Sequence, residues 1–282
     1  MADGGSAEGG RTAIHARSPK FSTASAPRYW WGGNALATHM ANGVSLLFPS
    51  GERFFIRSVR HFLDRIDDPA LRADVQGFFA QEARHGAAHQ HQFADLRAQG
   101  YPVDAFLAVY ERLAWRGIEP VVSPEMRLAV TVALEHFTAI MAHGALEGEH
   151  FDAVAPELQA LLRWHAAEEI EHKAVAFDVL RAVAPSYRLR VAGLALATAG
   201  LLGFWSAATV WLLVQDWKAG RVPATRDVAL MREQVARVGD GVLLQGIRAY
   251  LRRDFHPSQI DDAHLAASYL ARAGLEPVEE KA

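Results

Sequence analysis

The chain has 282 residues, 50% hydrophobic and 22% charged, with a formal net charge of -3 and no cysteine. That charge balance offers no basic surplus for nucleic acid, and the lack of thiols excludes a disulfide framework and any thiolate-held zinc or iron–sulfur centre. A metal, if bound, must be held by oxygen and imidazole nitrogen, and thirteen histidines supply the imidazoles.

Residues 1–28 are rich in Gly, Ala and Ser and lack an apolar h-region. They read as a disordered leader, distinct from a secretory signal, which makes a cytoplasmic location the default. Beyond them the chain is predicted to be all-α, with Ala/Leu/Arg/Glu/Gln-rich stretches between Pro and Gly punctuation. A first amphipathic segment covers 34–48 and is expected to break at Pro49-Ser50-Gly51, with helix A following over 50–66. Asp68 and Pro69 supply a cap and an N1 proline for helix B, which lasts to Gly100-Tyr101-Pro102. A connecting helix spans 104–116, Ser123-Pro124-Glu125 starts helix C toward Leu146, and helix D runs over 156–183. The bundle so predicted occupies 29–185.

Residues 186–218 form an apolar helix whose stretch 191–214 carries no charge. It is long enough to cross a bilayer, and Tyr187, Trp211 and Trp217 stand near its ends as interfacial aromatics do. Its many small residues equally suit packing on the bundle or in a homodimer. Both a membrane-surface contact and a homodimer through 191–214 are therefore expectations, and location is cytoplasmic with membrane association admitted. Residues 219–282 read as an amphipathic helical tail, including helices over 227–238 and 242–253.

Helix B contains Glu82-Ala-Arg-His85 and helix D contains Glu169-Ile-Glu-His172. Spacing of i, i+3 places each Glu and His on one face. One such motif on an Ala-rich helix is ordinarily a solvated face. Two of them, joined by a lone Glu52 on helix A and Glu135 on helix C, make the di-iron bundle pattern. Register supports it: Glu52 lies 14 residues before Ile66 and Glu82 lies 13 after Pro69, while Glu135 and Glu169 lie 11 and 13 residues from their own turn. All four carboxylates thus sit about 20 Å from a shared turn, within a helical turn of one another. Burying that many carboxylates without cations is very costly.

His165 stands four residues before Glu169 and shares its face, so it is a third His ligand or a supporting core histidine, the ligand reading being preferred. His89, four after His85, is assigned a supporting or channel place. Glu168 can hydrogen-bond a ligating His across the bundle, and Glu171 is expected to face solvent. The cofactor expected is two metal ions, iron first, with manganese or zinc as alternatives.

The segments Phe48-Pro-Ser-Gly-Glu52-Arg-Phe-Phe55, Gln81-Glu82-Ala-Arg-His85-Gly-Ala-Ala-His89, Glu135-His-Phe-Thr138 and Trp164-His-Ala-Ala-Glu-Glu169-Ile-Glu-His172 resemble a bacterial family of predicted metal-dependent hydrolases over roughly 34–217. The resemblance implies a ferritin-like four-helix bundle with extra helices and one long apolar helix. The ligand pattern is also similar to that of di-iron arylamine N-oxygenases, in which the fourth bundle helix carries an extra His. By that likeness Glu52, Glu82, His85, Glu135, His165, Glu169 and His172 are the ligands.

Three functions are consistent with these observations. The leading one is an oxygen-activating di-iron oxidase or oxygenase taking a small apolar or amine-bearing substrate and an electron donor. The second is a hydrolase with a two-metal activated water. The third is non-enzymatic metal binding or storage.

Overall fold

Helix α1 runs without interruption over Ala35–Arg60, with Asn34 Oδ1 accepting from the Ala37 N–H at its start. The break expected at Pro49 does not occur. Proline inside a helix frees the carbonyl four residues earlier and costs about 3 kcal/mol. Here the rod is packed between α2 on one side and α7 on the other, and that burial offsets the cost. The structure, a computed structural model, describes residues 14–148, 151–221, 228–229 and 243–275.

Helix α2 occupies Pro69–Ala98, capped by Asp68, and α3 occupies Val103–Glu111. The connecting helix does not stay α-helical to Arg116, because it widens into a π-helical stretch over Arg112–Ile118. Helix α4 spans Pro124–Glu147 behind a Ser123 cap. The single helix expected over 156–183 is two: α5 over Pro156–His172 and α6 over Val175–Val183. The interruption falls at Lys173, whose ammonium is drawn to the Ile260 carbonyl and the Asp262 carboxylate. Helix α7 spans Tyr187–Lys218, and shorter helices follow at Leu244–Tyr250 and Ala263–Arg272. Among the described residues there is no strand, only an isolated antiparallel bridge between Trp31 and Val154. The protein is all-α. The helix expected over 227–238 falls almost wholly outside the described residues.

Apolar side chains gather in three clusters, around Phe54, Phe78 and Leu128, around Trp30, Leu158 and Trp164, and around Leu46, Phe93 and Leu212. A band of buried carboxylates and imidazoles contributed by α1, α2, α4 and α5 adjoins them.

Among the described residues two helices, α4 and α7, are long and apolar enough to cross a membrane. Helix α4 is mostly buried and is a core element, whereas α7 buries one stripe and leaves the other exposed. Its buried stripe packs on α1 and α4, so closely that a Cβ on Gly193 would lie 2.6 Å from the Ala129 carbonyl. Both ends of α7 are tied down. Arg190 donates to the Tyr250 and Arg252 carbonyls between the rings of Phe177, Tyr187, Tyr250 and Phe255. Asp216 is fully buried and accepts from Tyr101, Tyr29 and Arg221, with His39 Nε2 2.6 Å away.

Residues 14–28, read from composition as part of a disordered leader, lie across the bundle. Arg17 is their anchor, bonded to Glu168, to both oxygens of Glu171 and to the Leu275 carbonyl. Composition misses this because the docking is non-local: the Arg17 guanidinium grips Glu168 and Glu171, Phe21 packs 5.4 Å from Trp164, and Ile14 lies against the core. Residues 1–13 lie outside the described residues.

Candidate metal centre

The helical spacing of α2 and α5 brings Glu82, His85, Glu169 and His172 inward, and α1 and α4 add Glu52 and Glu135 from the facing sides. All six, with His165, are buried. Among the described residues four triads each place one ligand atom per member within 4.8 Å of the others: Glu82–Glu135–His172, Glu52–Glu82–His85, His85–His165–Glu169 and Glu52–His89–His165. The structure therefore gathers all seven residues singled out in the sequence, and His89 with them. His172 Nε2 lies 3.2 Å from Glu82, 3.3 Å from Glu135 and 3.6 Å from Glu169. His85 Nδ1 lies 3.6 Å from Glu82 and 3.5 Å from Glu169, and His165 Nε2 lies 2.8 Å from Glu169 and 3.9 Å from Glu52.

A family described as predicted metal-dependent hydrolase matches residues 15–261. The chain belongs to that family. No curated protein and no solved structure matches the chain significantly.

Whether the family's metal fits these residues can be settled from the hydrogen-bond directions. A carboxylate only accepts, so His85 Nε2 donates to Glu168 Oε2 at 3.0 Å, and Nδ1 is left as a lone pair facing Glu82 and Glu169. Gln81 donates its amide to Glu171 and to the His15 carbonyl, so its oxygen accepts from His172 Nδ1 at 2.8 Å. His172 Nε2 therefore also presents a lone pair to carboxylates. A longer relay fixes His165. The Trp30 indole N–H and the Gln92 amide both donate to Asn42 Oδ1, which turns the Gln92 oxygen toward Ser45 Oγ. Ser45 donates to it and accepts from His89 Nδ1, so His89 Nε2 accepts from His165 Nδ1 at 2.8 Å. The inward nitrogen of His165 again has no proton to offer.

Three imidazole lone pairs thus face four carboxylates. Both oxygens of Glu52, Glu82 and Glu135, Oε2 of Glu169, Nδ1 of His85 and Nε2 of His172 are buried without a hydrogen-bond partner. Such a set repels itself unless cations lie within it. Outward nitrogens held by acceptors and inward ones left free is the arrangement that metal-ligating histidines require. The residues present fit a metal.

Protons are the cations that remain when metal is removed. Burial opposes charge on His85 and His172, but the surrounding carboxylates outweigh it and raise both above the ordinary histidine range. Burial, with the charge of Glu82, pushes Glu135 up to about 8 and holds Glu52 well above the usual carboxylate range. Burial also works against Glu82 and Glu169, yet the facing imidazoles bring both below it. In His89 and His165 burial prevails and keeps the rings neutral.

Glu171 does not face open solvent as expected but is gripped by Arg17 and Gln81. Arg17 and Gln81 are the residues that sequence reasoning passed over. Gln81 sits one residue before Glu82 and four before His85, a spacing that could have marked it. Arg17, 151 residues away from Glu168, gave no local signal.

At Gly86 helix α2 lies close against α1: a Cβ there would lie 2.9 Å from Glu52 Oε2 and 3.5 Å from Pro49 Cα. Gly86→Ala should push the Glu52 carboxylate away from its place and weaken metal binding at least tenfold. Metal titration of folded variant and wild type checks this, and equal affinity would show that Glu52 has room to move.

Proposed function

We propose that the chain holds two metal ions, iron the favoured pair, in a ferritin-like four-helix centre and uses them to oxidise an apolar substrate with dioxygen. The observation that carries this reading is the set of imidazole lone pairs and unpartnered carboxylate oxygens aimed at one buried volume. Carboxylate and imidazole without sulfur suit iron or manganese, with zinc as a further candidate. Glu135 and His172 would serve one ion, and Glu52, His85 and His165 the other. Glu82 and Glu169 face both sets and would be shared. Glu168, Gln81 and His89 would hold the outward nitrogens and so set ring orientation.

Iron held by these residues would supply electrons and binding positions for dioxygen, with an external reductant as the electron source. The chain's part is to orient the ligands and keep water out. Phe48 packs 4.8 Å from the rings of both His89 and His165, and Trp164 packs 5.0 Å from His85. The space that reaches Glu52 from outside is walled almost entirely by hydrocarbon, which favours oxidation of an unactivated apolar group. Hydrolysis is the second reading, favoured by the family description, with two metals activating water.

Protein purified without oxygen and loaded with ferrous iron should retain about two iron atoms per chain. It should consume oxygen when a reductant is added and leave ester and amide probes intact. Iron near zero after loading would defeat the dinuclear centre. Ester or amide cleavage without oxygen uptake would replace oxidation by hydrolysis.

A further inference from the structure

A cavity of about 150 Å³ lies between α1, α4, α7 and the π-helical stretch, walled by Val44, Phe54, Trp115, Phe137, Leu201 and Phe204. Glu52 lines it too, 2% exposed and with neither carboxylate oxygen hydrogen-bonded. Its α1 wall extends from Val44 to Phe55, about 16 Å at ~1.5 Å per residue. A volume of this size, when compact, holds one benzene ring. That volume has room for an alkyl chain of roughly six to eight carbons, which when extended is about 6 to 9 Å long and follows only part of this wall.

Part of the cavity lining is charged. Arg127 and Glu119 belong to it, and an adjoining depression that shares Trp115 and Glu119 is lined by Arg53, Arg57, Arg116 and Glu111. Glu111 pairs with Arg53, and Glu119 with Arg57 and Arg127. Four guanidinium groups there meet two carboxylates, and Arg116 is exposed with no ion pair among the described residues. The rim therefore carries a cationic surplus suited to a carboxylate or phosphate.

We infer that the cavity binds the chain of an anionic amphiphile, its head on the arginine rim and its chain running past Glu52. As the substrate class of the centre, this rests on the dinuclear reading above. An amine-bearing substrate, also expected from the ligand pattern, would meet the wrong charge at the rim.

The test is calorimetric titration of the iron-loaded protein with octanoate, octyl phosphate, octyltrimethylammonium and butyrate. Octanoate or octyl phosphate should bind at least tenfold more tightly than the ammonium and than butyrate, and the tighter of the two anions identifies the head. Gly200 lines the cavity with nothing within 4 Å of a Cβ position, so Gly200→Phe should obstruct it. That variant should weaken anion binding at least tenfold and the smaller Gly200→Leu by less, with thermal unfolding showing that both are folded. Arg53→Ala with Arg116→Ala should erase the preference for the anion over the ammonium. Ammonium bound as tightly as octanoate, or folded Gly200→Phe binding octanoate like wild type, would overturn the inference. Iron content read on the same samples separates the two readings: two irons with no octanoate binding sinks only this one, and octanoate binding without iron sinks only the centre.

Discussion

Metal-free protein should lose stability steadily as pH rises from about 4.5 to about 8, while metal-loaded protein should not. Folded Glu135 keeps its proton up to about 8, whereas the unfolded carboxyl releases it near 4.5. Between those values the folded chain binds the extra proton, so each pH unit costs about 1.4 kcal/mol of stability. Glu52, also raised, acts in the same direction. His85 and His172 are raised histidines, so their contribution is complete below 6.5 and fades as pH climbs through their folded values. Glu82 and Glu169 are lowered, and their contribution is present above 4.5 and fades on acidification below it. The metal-free optimum should therefore lie near pH 5. Metal takes the place of these protons, so loading at pH 7 should release them. Urea unfolding at pH 5 and 8, with and without metal, and an indicator dye during loading measure both effects. Equal metal-free stability at the two pH values would mean that the carboxylates are not buried as described.

Asp216→Ala should be the most damaging single change far from the centre, lowering stability by roughly 3 to 5 kcal/mol. It removes the acceptor shared by Tyr29, Tyr101 and Arg221, and the partner of His39. Asp216→Asn keeps the shape and part of the acceptance and should cost less. Urea midpoints of the two variants decide the matter. A loss below about 1 kcal/mol for the alanine variant would show that the C-terminal end of α7 is held by its apolar stripe without help from Asp216.

The helices were legible wherever a capping residue met a proline. Asp68-Pro69 and Ser123-Pro124 start α2 and α4 where the sequence places them. The matched depth of the four carboxylates was legible for a related reason: helical rise is constant, so distance from a turn locates a side chain without any knowledge of its neighbours. What could not be read depends on neighbours. Pro49 signals a break in every local context, and only the packing of α1 between two other helices carries the helix through it. The inward lone pair of His165 depends on a relay that starts at Trp30, 135 positions earlier, and no spacing rule spans that distance. The docking of Arg17 on Glu168 is equally non-local, which is why composition assigned its segment to disorder.

The outer side of α7 has a consequence for how the molecule meets its surroundings. From Ala192 to Val214 that side carries no ionisable group, and Leu202 and Val210 are more than half exposed. Ionic strength has nothing to screen there. Any contact made through it should be indifferent to added sodium chloride, weaken on cooling and strengthen in sulfate. In handling, this protein should therefore be kept dispersed by mild detergent and low temperature, where for most proteins of its charge a change of salt would serve.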